Sequence, residues 1–479
     1  MKIVIFGTGK YFFERKIELL SYTDTVKVAY IDNNQQKQGT YIDGIPVLAV
    51  EDIVSLDFDK VVLMSVKVGE MKEQLIKIGI EREKIWSWER FRGENWRGSF
   101  RFYCQNQKKN ANRDKILIIT PELNYNGGTL AAVYAGMELQ RRGYAVVLAA
   151  PGGNDVFIRE VKKEGIDIMI CHALPCLFSE ELVFVEQFDI VLVNVFQMIS
   201  CAYVISRIKP VIWWIHEPSI FYESALVQYS EYAATDWMKR VYIYAVSRIA
   251  QCNFNRLFLD KIKDTLAYGI PDKSEYVEIN RKRRKMVFAV IGSITPVKGQ
   301  DIFLKAISKI EDNQKSYLSF WIIGKEGEDS YYNDIKNMAA RESSVKLLGE
   351  MTRKEIQSAY AKIDVLVCPS REDTLSIVVT EAMMYGKVCI VSDSVGMADY
   401  ISHGENGLVY KTGNVTELFE KMMWTFEHKD KLRRIGDNAR LTYQEKFSMD
   451  RFGNRLEMII NKIKKDKKAL EKDLGNEIV

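Results

Sequence analysis

Two acids eight residues apart, Asp373 and Glu381, carry the chemistry this sequence states most openly. Asp373 stands just ahead of a stretch, Thr374 to Tyr385, that has apolar residues on nearly every side, and Glu381 lies inside it. Leu375, Val378, Val379, Ala382 and Met383 form one stripe of a predicted helix, which Ile377 and Met384 extend. A helix apolar all round is a buried helix. An unpaired carboxylate is costly to bury, so Glu381 needs a dedicated partner. An arginine or a backbone donor is the ordinary candidate; distance offers another. At about 1.5 Å of rise per residue the two acids lie roughly 12 Å apart, comparable to the span from a sugar to a ribose across a diphosphate. The helix start between them presents free N–H groups and a positive dipole end to an anion. That layout suits a nucleotide-sugar cradle.

The elements around the pair read as strand, loop, helix, strand. Ile363, Val365 and Leu366 belong to an apolar run that Pro369 and Ser370 terminate, and Lys387 to Ser392 is a second run rich in β-branched residues. Upstream, the strand Val287 to Ile291 leads into Gly292-Ser-Ile-Thr-Pro-Val-Lys298-Gly299 and a helix from Gln300. A lysine on such a turn would neutralise charge on a leaving diphosphate; a solvated lysine beside a turn is the plain alternative. The strand Ile116 to Thr120 precedes Gly127-Gly128 and a helix, Thr129 to Arg142. Paired glycines let the backbone approach a ligand, or simply make a tight turn. The strand Val211 to Ile215 ends in His216-Glu217-Pro218. A histidine there sits on the rim where α/β sheets bind ligands, unless it is a buried ring bonded to backbone.

The stretch Ile363 to Asp393 resembles the acid-x7-acid motif of retaining, family-four glycosyltransferases, whose usual form is Pro-Ser-x-x-Glu-Gly-Phe followed by Leu-Glu-Ala-Met. Here Pro369, Ser370, Asp373, Thr374 and Leu375 are followed by Thr380, Glu381, Ala382 and Met383. Asp replaces the first Glu, Thr-Leu the Gly-Phe, and Thr380 the leucine. The resemblance implies that Asp373 faces the donor sugar, that Thr374, Leu375 and Ser376 offer main-chain amides, and that Glu381 holds the ribose. It implies a glycine loop, Gly127 and Gly128, near the donor diphosphate and sugar, and a histidine, His216, beside that sugar. Of the family's Gly-Arg-x4-Lys-Gly turn, Lys298 matches while Ser293 stands at the arginine; Arg371 is a candidate for the missing cation. The loop Gly349 to Thr352 lies where the family usually holds the base. Tyr268 to Asp272, Gly396 and the turn His403 to Gly407 also resemble family segments. The likeness covers about 113 to 465.

The N-terminus reads as a separate small α/β domain. Lys2 to Gly7 leads into Gly7-Thr-Gly9-Lys-Tyr-Phe and a helix from about Tyr11, and a second strand, Val26 to Ile31, ends at Asp32. This is the opening of a Rossmann-like unit, with Phe12 in place of the third glycine. Strands Gly44 to Leu48 and Lys60 to Met64, and a helix near Glu70 to Ile78, complete it. It resembles the N-terminal domain of bacterial sugar O-acyltransferases in YIDNN, KQGTYIDGIPVL and the glycine turn; a docking domain without ligand is the alternative. Trp86 to Tyr103 is aromatic and irregular, and the polar, basic Gln105 to Lys115 reads as a linker.

Composition bounds the rest. The 479 residues, 47% hydrophobic, suffice for about three domains. A net charge of +4 implies no nucleic-acid partner. The basic clusters Arg281 to Lys285 and Lys462 to Lys468 read as linker and tail, with weak attraction to anionic lipid as their membrane reading. Seven scattered cysteines without zinc spacing read as free thiols in a reducing cytoplasm. No signal peptide and no apolar run near the roughly 20 residues of a membrane span is evident.

The expected fold is α/β: a GT-B fold of two facing Rossmann-like domains, preceded by a small additional Rossmann-like domain. The expected boundaries are 1–104 for that domain, 105–115 linker, 116–283 acceptor-side domain, 284–448 donor domain, and 449–479 crossing helix and charged tail. The implied function is a retaining glycosyltransferase moving a sugar, UDP-linked above other choices, to a saccharide or lipid-linked acceptor in bacterial envelope or exopolysaccharide assembly. It needs no cofactor and no metal, and works in the cytoplasm or peripherally at the inner face of the membrane. The alternatives are a non-catalytic GT-B partner subunit or sugar-binding protein, and a GT-B sugar-nucleotide epimerase.

Overall fold

The structure is a computed structural model of the chain. It describes residues 1–22, 24–65, 67–96, 100–104, 114–171, 174–176, 182–222, 232, 235–258, 261–276, 285–326 and 330–476. These divide into two compact units. The first comprises Met1–Asn124, Ala145–Trp213 and Ser219–Tyr242; the second comprises Tyr125–Tyr144, Trp214–Pro218 and Ile243–Val479.

The first unit opens on a six-stranded sheet of β1 (Lys2–Phe6), β2 (Val26–Ile31), β3 (Tyr41–Ile42), β4 (Ile45–Leu48), β5 (Lys60–Leu63) and β6 (Ile85–Ser87), ordered β3-β4-β2-β1-β5-β6. All neighbours run parallel except the β3–β4 hairpin. Alternation along β1 sends Ile3 and Ile5 to one core and Val4 and Phe6 to the other, so the sheet is covered on both faces. The helix Lys10–Ser21 starts at the predicted glycine turn. Asp32, at the end of β2, is turned inward. It accepts from the Thr8 N–H at 2.8 Å, the Thr8 hydroxyl at 2.5 Å, the Asn34 N–H at 2.9 Å and Lys37 Nζ at 3.3 Å.

Trp86 to Tyr103 is not irregular. It contains a helix, Trp88–Trp96, and a strand, β7 (Phe100–Tyr103). The run is aromatic but has no clean period, because Trp88 and Phe91 serve the first core while Phe102 is exposed. β7 pairs antiparallel with β10 of the next sheet, from Ile168↔Tyr103 to Cys171↔Phe100. That sheet uses β8 (Lys115–Ile119), β9 (Ala145–Ala150), β10 (Asp167–Cys171), β11 (Ile190–Asn194) and β12 (Val211–Ile215), ordered β12-β11-β8-β9-β10-β7 through the first unit. Most of the predicted linker, 105–113, lies outside the described residues, as do 281–284 of the basic cluster.

In the second unit β13 (Val241–Ala245) pairs with β14 (Asp264–Thr265). A third, all-parallel sheet follows, built from β15 (Met286–Ile291), β16 (Leu318–Ile323), β17 (Val345–Leu347), β18 (Val365–Cys368), β19 (Val388–Ser392) and β20 (Leu408–Tyr410), ordered β17-β16-β15-β18-β19-β20. β15, β18 and β19 are buried at every residue, as continuous apolar runs in a doubly covered sheet require. The last helix, Met449–Asn476, buries the predicted stripe Phe452, Leu456, Ile459, Ile460 and Ile463. It is fastened to the helix Gly127–Arg141. Arg142 donates to buried Glu138 at 2.6 Å, to Glu457 at 2.6 Å and to the Asp450 carbonyl at 2.9 Å.

Candidate active site

Three loops at the carboxyl ends of β15, β18 and β19 bring the sequence candidates together. The turn after β15 carries Lys298 and then Gly299, at φ 71°. A Cβ on Gly299 would lie 2.2 Å from the Pro369 carbonyl oxygen, so only glycine lets this turn touch the loop after β18. The two loops are stitched at a second point, where the Arg371 N–H donates to the Val297 carbonyl at 2.7 Å. The result is an ion pair: Lys298 Nζ is 2.7 Å from Asp373 Oδ2, with side chains 35% and 12% exposed. Burial opposes the Lys298 ammonium, but the neighbouring carboxylate prevails and raises its pKa.

The helix after this loop is shorter than the sequence pattern suggests. It runs Ile377–Met384, so Asp373 and Glu381 do not share one helix and the simple rise between them does not apply. Asp373 to Ser376 instead follows an irregular path fixed at each step. Asp373 bridges to Val395, donating its N–H to the Ser394 carbonyl at 3.2 Å and accepting the Gly396 N–H at 2.8 Å. The Thr374 hydroxyl donates to the His216 carbonyl at 2.7 Å, and the Tyr268 hydroxyl donates to the Leu375 carbonyl. The carbonyls of Asp373, Leu375 and Ser376 are thus used while amides are left over. Among the described residues the N–H groups of Thr374, Leu375 and Ser376 meet no acceptor, and Ser376 gives its helix no side-chain cap. Consecutive N–H groups at an uncapped helix start, with a lysine alongside, form a receptacle for an anion.

The remaining candidates fall into place around this loop with different roles. Gly127 opens the helix Gly127–Arg141, and a Cβ on it would lie 3.9 Å from Ile377 Cδ1, which puts the glycine pair at the mouth of the same helix start. His216 contributes its carbonyl to Thr374, while its ring lies edge-on against Trp214 at 4.6 Å, with a buried Nε2 that meets no hydrogen-bond partner among the described residues. Burial lowers its pKa to about 3, so the ring is neutral across the physiological range. Arg371 does not face the Lys298–Asp373 pair. Its guanidinium grips Asp301 at 2.9 and 2.8 Å and the Pro296 carbonyl at 2.6 Å, bracing the two loops instead of supplying a second cation. Ser293 is exposed, and its carbonyl accepts from Gln300 Nε2 at 3.0 Å.

Glu381 has the arginine partner that its burial demands. Arg353 Nη1 donates to its Oε1 at 2.7 Å, and the Tyr360 hydroxyl stands 3.3 Å from Oε2. Sequence reasoning missed Arg353. Thr352 and Glu355 form a capping box that marks a helix start between them, but nothing local ties Arg353 to an acid 28 positions on.

The family model described as Glycosyl transferases group 1 matches residues 272–442, and one described as C2185-like, N-terminal matches residues 1–86. An uncharacterized glycosyltransferase, MJ1178, of Methanocaldococcus jannaschii is 28% identical over 163 residues, 34% of this chain and 44% of its own length. The N,N'-diacetylbacillosaminyl-diphospho-undecaprenol alpha-1,3-N-acetylgalactosaminyltransferase of Campylobacter jejuni is 24% identical over 200 residues, 39% of this chain and 51% of its own. The chain therefore spans only about half the length of these two relatives. Among solved structures, HepE of Anabaena in complex with UDP and glucose aligns with a TM-score of 0.62 at 17% identity, covering 73% of this chain and all of its own. WaaG, a glycosyltransferase involved in lipopolysaccharide biosynthesis, aligns with a TM-score of 0.54 at 13% identity, covering 72% and 99%. Among the described residues no helix is long and apolar enough to cross a membrane. Residues 272–442, which hold Lys298, Asp373 and Glu381, match the glycosyl transferases group 1 family, within a chain of GT-B fold that carries a further α/β region at its N-terminus.

Proposed function

We propose that the chain is a retaining glycosyltransferase that moves a sugar from a nucleotide-sugar donor to a saccharide or lipid-linked acceptor. The observation that carries this reading is the Lys298–Asp373 pair at 2.7 Å beside the open amides of Thr374 to Ser376. A donor diphosphate on those amides lies within the field of Lys298, which neutralises the negative charge that grows as the sugar departs. The helix start adds its own positive end. Asp373, itself neutralised by the lysine, is placed to accept a sugar hydroxyl rather than to act as a nucleophile. A neutral His216 offers a second hydrogen-bonding atom. Same-face attack by the acceptor, without a protein nucleophile or metal, is the mechanism that fits this inventory.

The bacterial relative that acts on an undecaprenol-linked sugar and the neighbour bound to UDP support a UDP-sugar donor and an envelope or exopolysaccharide acceptor. We place the enzyme in the cytoplasm, peripheral to the membrane at most. The N-terminal region, with its resemblance to acyltransferase N-terminal domains, supplies none of these residues and serves docking, regulation or the binding of a second nucleotide. The test is a panel of nucleotide sugars offered with saccharide and lipid-linked acceptors. Transfer with retained anomeric configuration is the expected result. Binding without turnover would move the reading to a non-catalytic partner subunit, a role consistent with Arg371 being held by Asp301. Absence of any donor binding would refute the site.

A further inference from the structure

We infer that Arg353 is a positioning residue that fixes one oxygen of Glu381 and so leaves the other to a vicinal diol. The inference rests on the donor-site reading above and adds a residue to it. Arg353 is the first residue of the helix Arg353–Tyr360, whose start is locked by Thr352 and Glu355. The Thr352 hydroxyl donates to Glu355 at 2.7 Å, and the Thr352 N–H donates to the same carboxylate at 2.8 Å. From that fixed root the guanidinium forks. Nη1 donates to Glu381 Oε1 at 2.7 Å, and Nη2 donates to the Tyr134 hydroxyl at 3.2 Å. A planar fork held at both tines cannot rotate, so Oε1 is committed.

Oε2 is in a different position. Among the described residues its one hydrogen-bond partner is the Tyr360 hydroxyl at 3.3 Å, and that hydroxyl has a better acceptor in the Val378 carbonyl at 2.9 Å. A phenol carries one proton, and the shorter contact takes it. Oε2 therefore keeps acceptor capacity while its carboxylate is held rigid. The Arg353–Glu381 pair is neutral as a whole, which suits uncharged hydroxyls better than phosphate. A ribose 2′,3′-diol has the chemistry to match. Tyr134 lies on the helix that begins at Gly127, so the same fork connects the diol acceptor to the glycine pair at the diphosphate end.

The experiment measures binding of UDP, GDP and ADP, and of their 2′,3′-dideoxy counterparts, to the full chain by calorimetry. It compares wild type with Arg353→Ala and with Arg353→Lys, which keeps the charge but loses the fork. Wild type is expected to prefer a ribonucleotide over its dideoxy form by about tenfold or more, the worth of one charged hydrogen bond. Both variants are expected to lose most of that preference by binding the ribonucleotide more weakly, with dideoxy binding unchanged. Thermal melting identifies the variant that is folded and can be read. A folded variant that keeps the full preference overturns the inference, as does equal weakening of both nucleotide forms, which marks Arg353 as merely structural. Failure of wild type to bind any of the three diphosphates sinks the donor-site reading, and this inference with it.

Discussion

Replacing Lys298 with alanine separates chemistry from scaffolding, because the lysine holds a protein carboxylate as well as facing the anion site. At 2.7 Å and an effective dielectric of about 20, the pair gains roughly 6 kcal/mol of gross attraction. Desolvation offsets most of that. Exposed pairs are worth about 0–1 kcal/mol, whereas breaking a fully buried one costs about 3–5. With Asp373 12% and Lys298 35% exposed, the expected loss of stability is between those limits, about 1–3 kcal/mol. The rate should fall further than the fold weakens. A lost transition-state donor raises the barrier by about 2–4 kcal/mol, or roughly 30- to 1,000-fold in kcat/KM. Urea melts and donor hydrolysis assays read the two effects apart. Adding Asp373→Asn to Lys298→Ala removes the stranded carboxylate and should restore stability to within about 1 kcal/mol of wild type, while leaving the rate depressed. Lower stability with an unchanged rate in Lys298→Ala would make the lysine a brace and nothing more.

Three other outcomes follow from the same geometry. Gly299→Ala forces a Cβ to within 2.2 Å of the Pro369 carbonyl at a left-handed φ; a loss of at least about 2–3 kcal/mol and of donor binding is expected by urea melt and calorimetry, and wild-type values would refute the close approach. His216 is held neutral, its pKa lowered by burial to about 3 from 6.5. The unfolded chain therefore takes up a proton that the folded chain refuses, and stability falls as pH drops below about 6.5, by up to about 1.4 kcal/mol per pH unit. Between pH 7 and pH 5, His216→Gln should lose about 2 kcal/mol less than wild type, and parallel losses would show that the ring is accessible to protons. The activity of the enzyme in excess EDTA should equal that of untreated enzyme; a loss reversed by magnesium or manganese would reject the metal-independent mechanism.

How far the sequence could be read depended on how local each feature is. Lys298 and Gly299 are adjacent and sit on a glycine turn, so the cation was visible from its neighbours alone. Asp373 was visible too, but its setting was not. An apolar pattern running from Leu375 suggests a helix from Thr374, whereas the chain spends Asp373 to Ser376 on a bridge to Val395 and on hydrogen bonds with His216, Tyr268 and Gly396 that no local pattern encodes. Arg371 looked like a spare cation because Asp301 lies 70 positions away. Arg353 was not visible for the same reason. The sheets themselves were plain, because buried parallel strands are continuous apolar runs, and β15, β18 and β19 are such runs.

The placement of β7 bears on how this chain could be divided or recombined. Its residues come soon after the N-terminal helix Trp88–Trp96 in the chain, yet its hydrogen bonds belong to β10 in the sheet of the next segment. The seam in the covalent chain and the seam in the architecture are therefore offset. A cut after Cys104 would carry the strand away with the wrong partner and leave β10 as a bare edge, the kind of edge that recruits a foreign strand. An exchange of N-terminal regions between relatives would have to be made ahead of Phe100, so that the transplanted piece ends with a helix and the recipient keeps its own selvage.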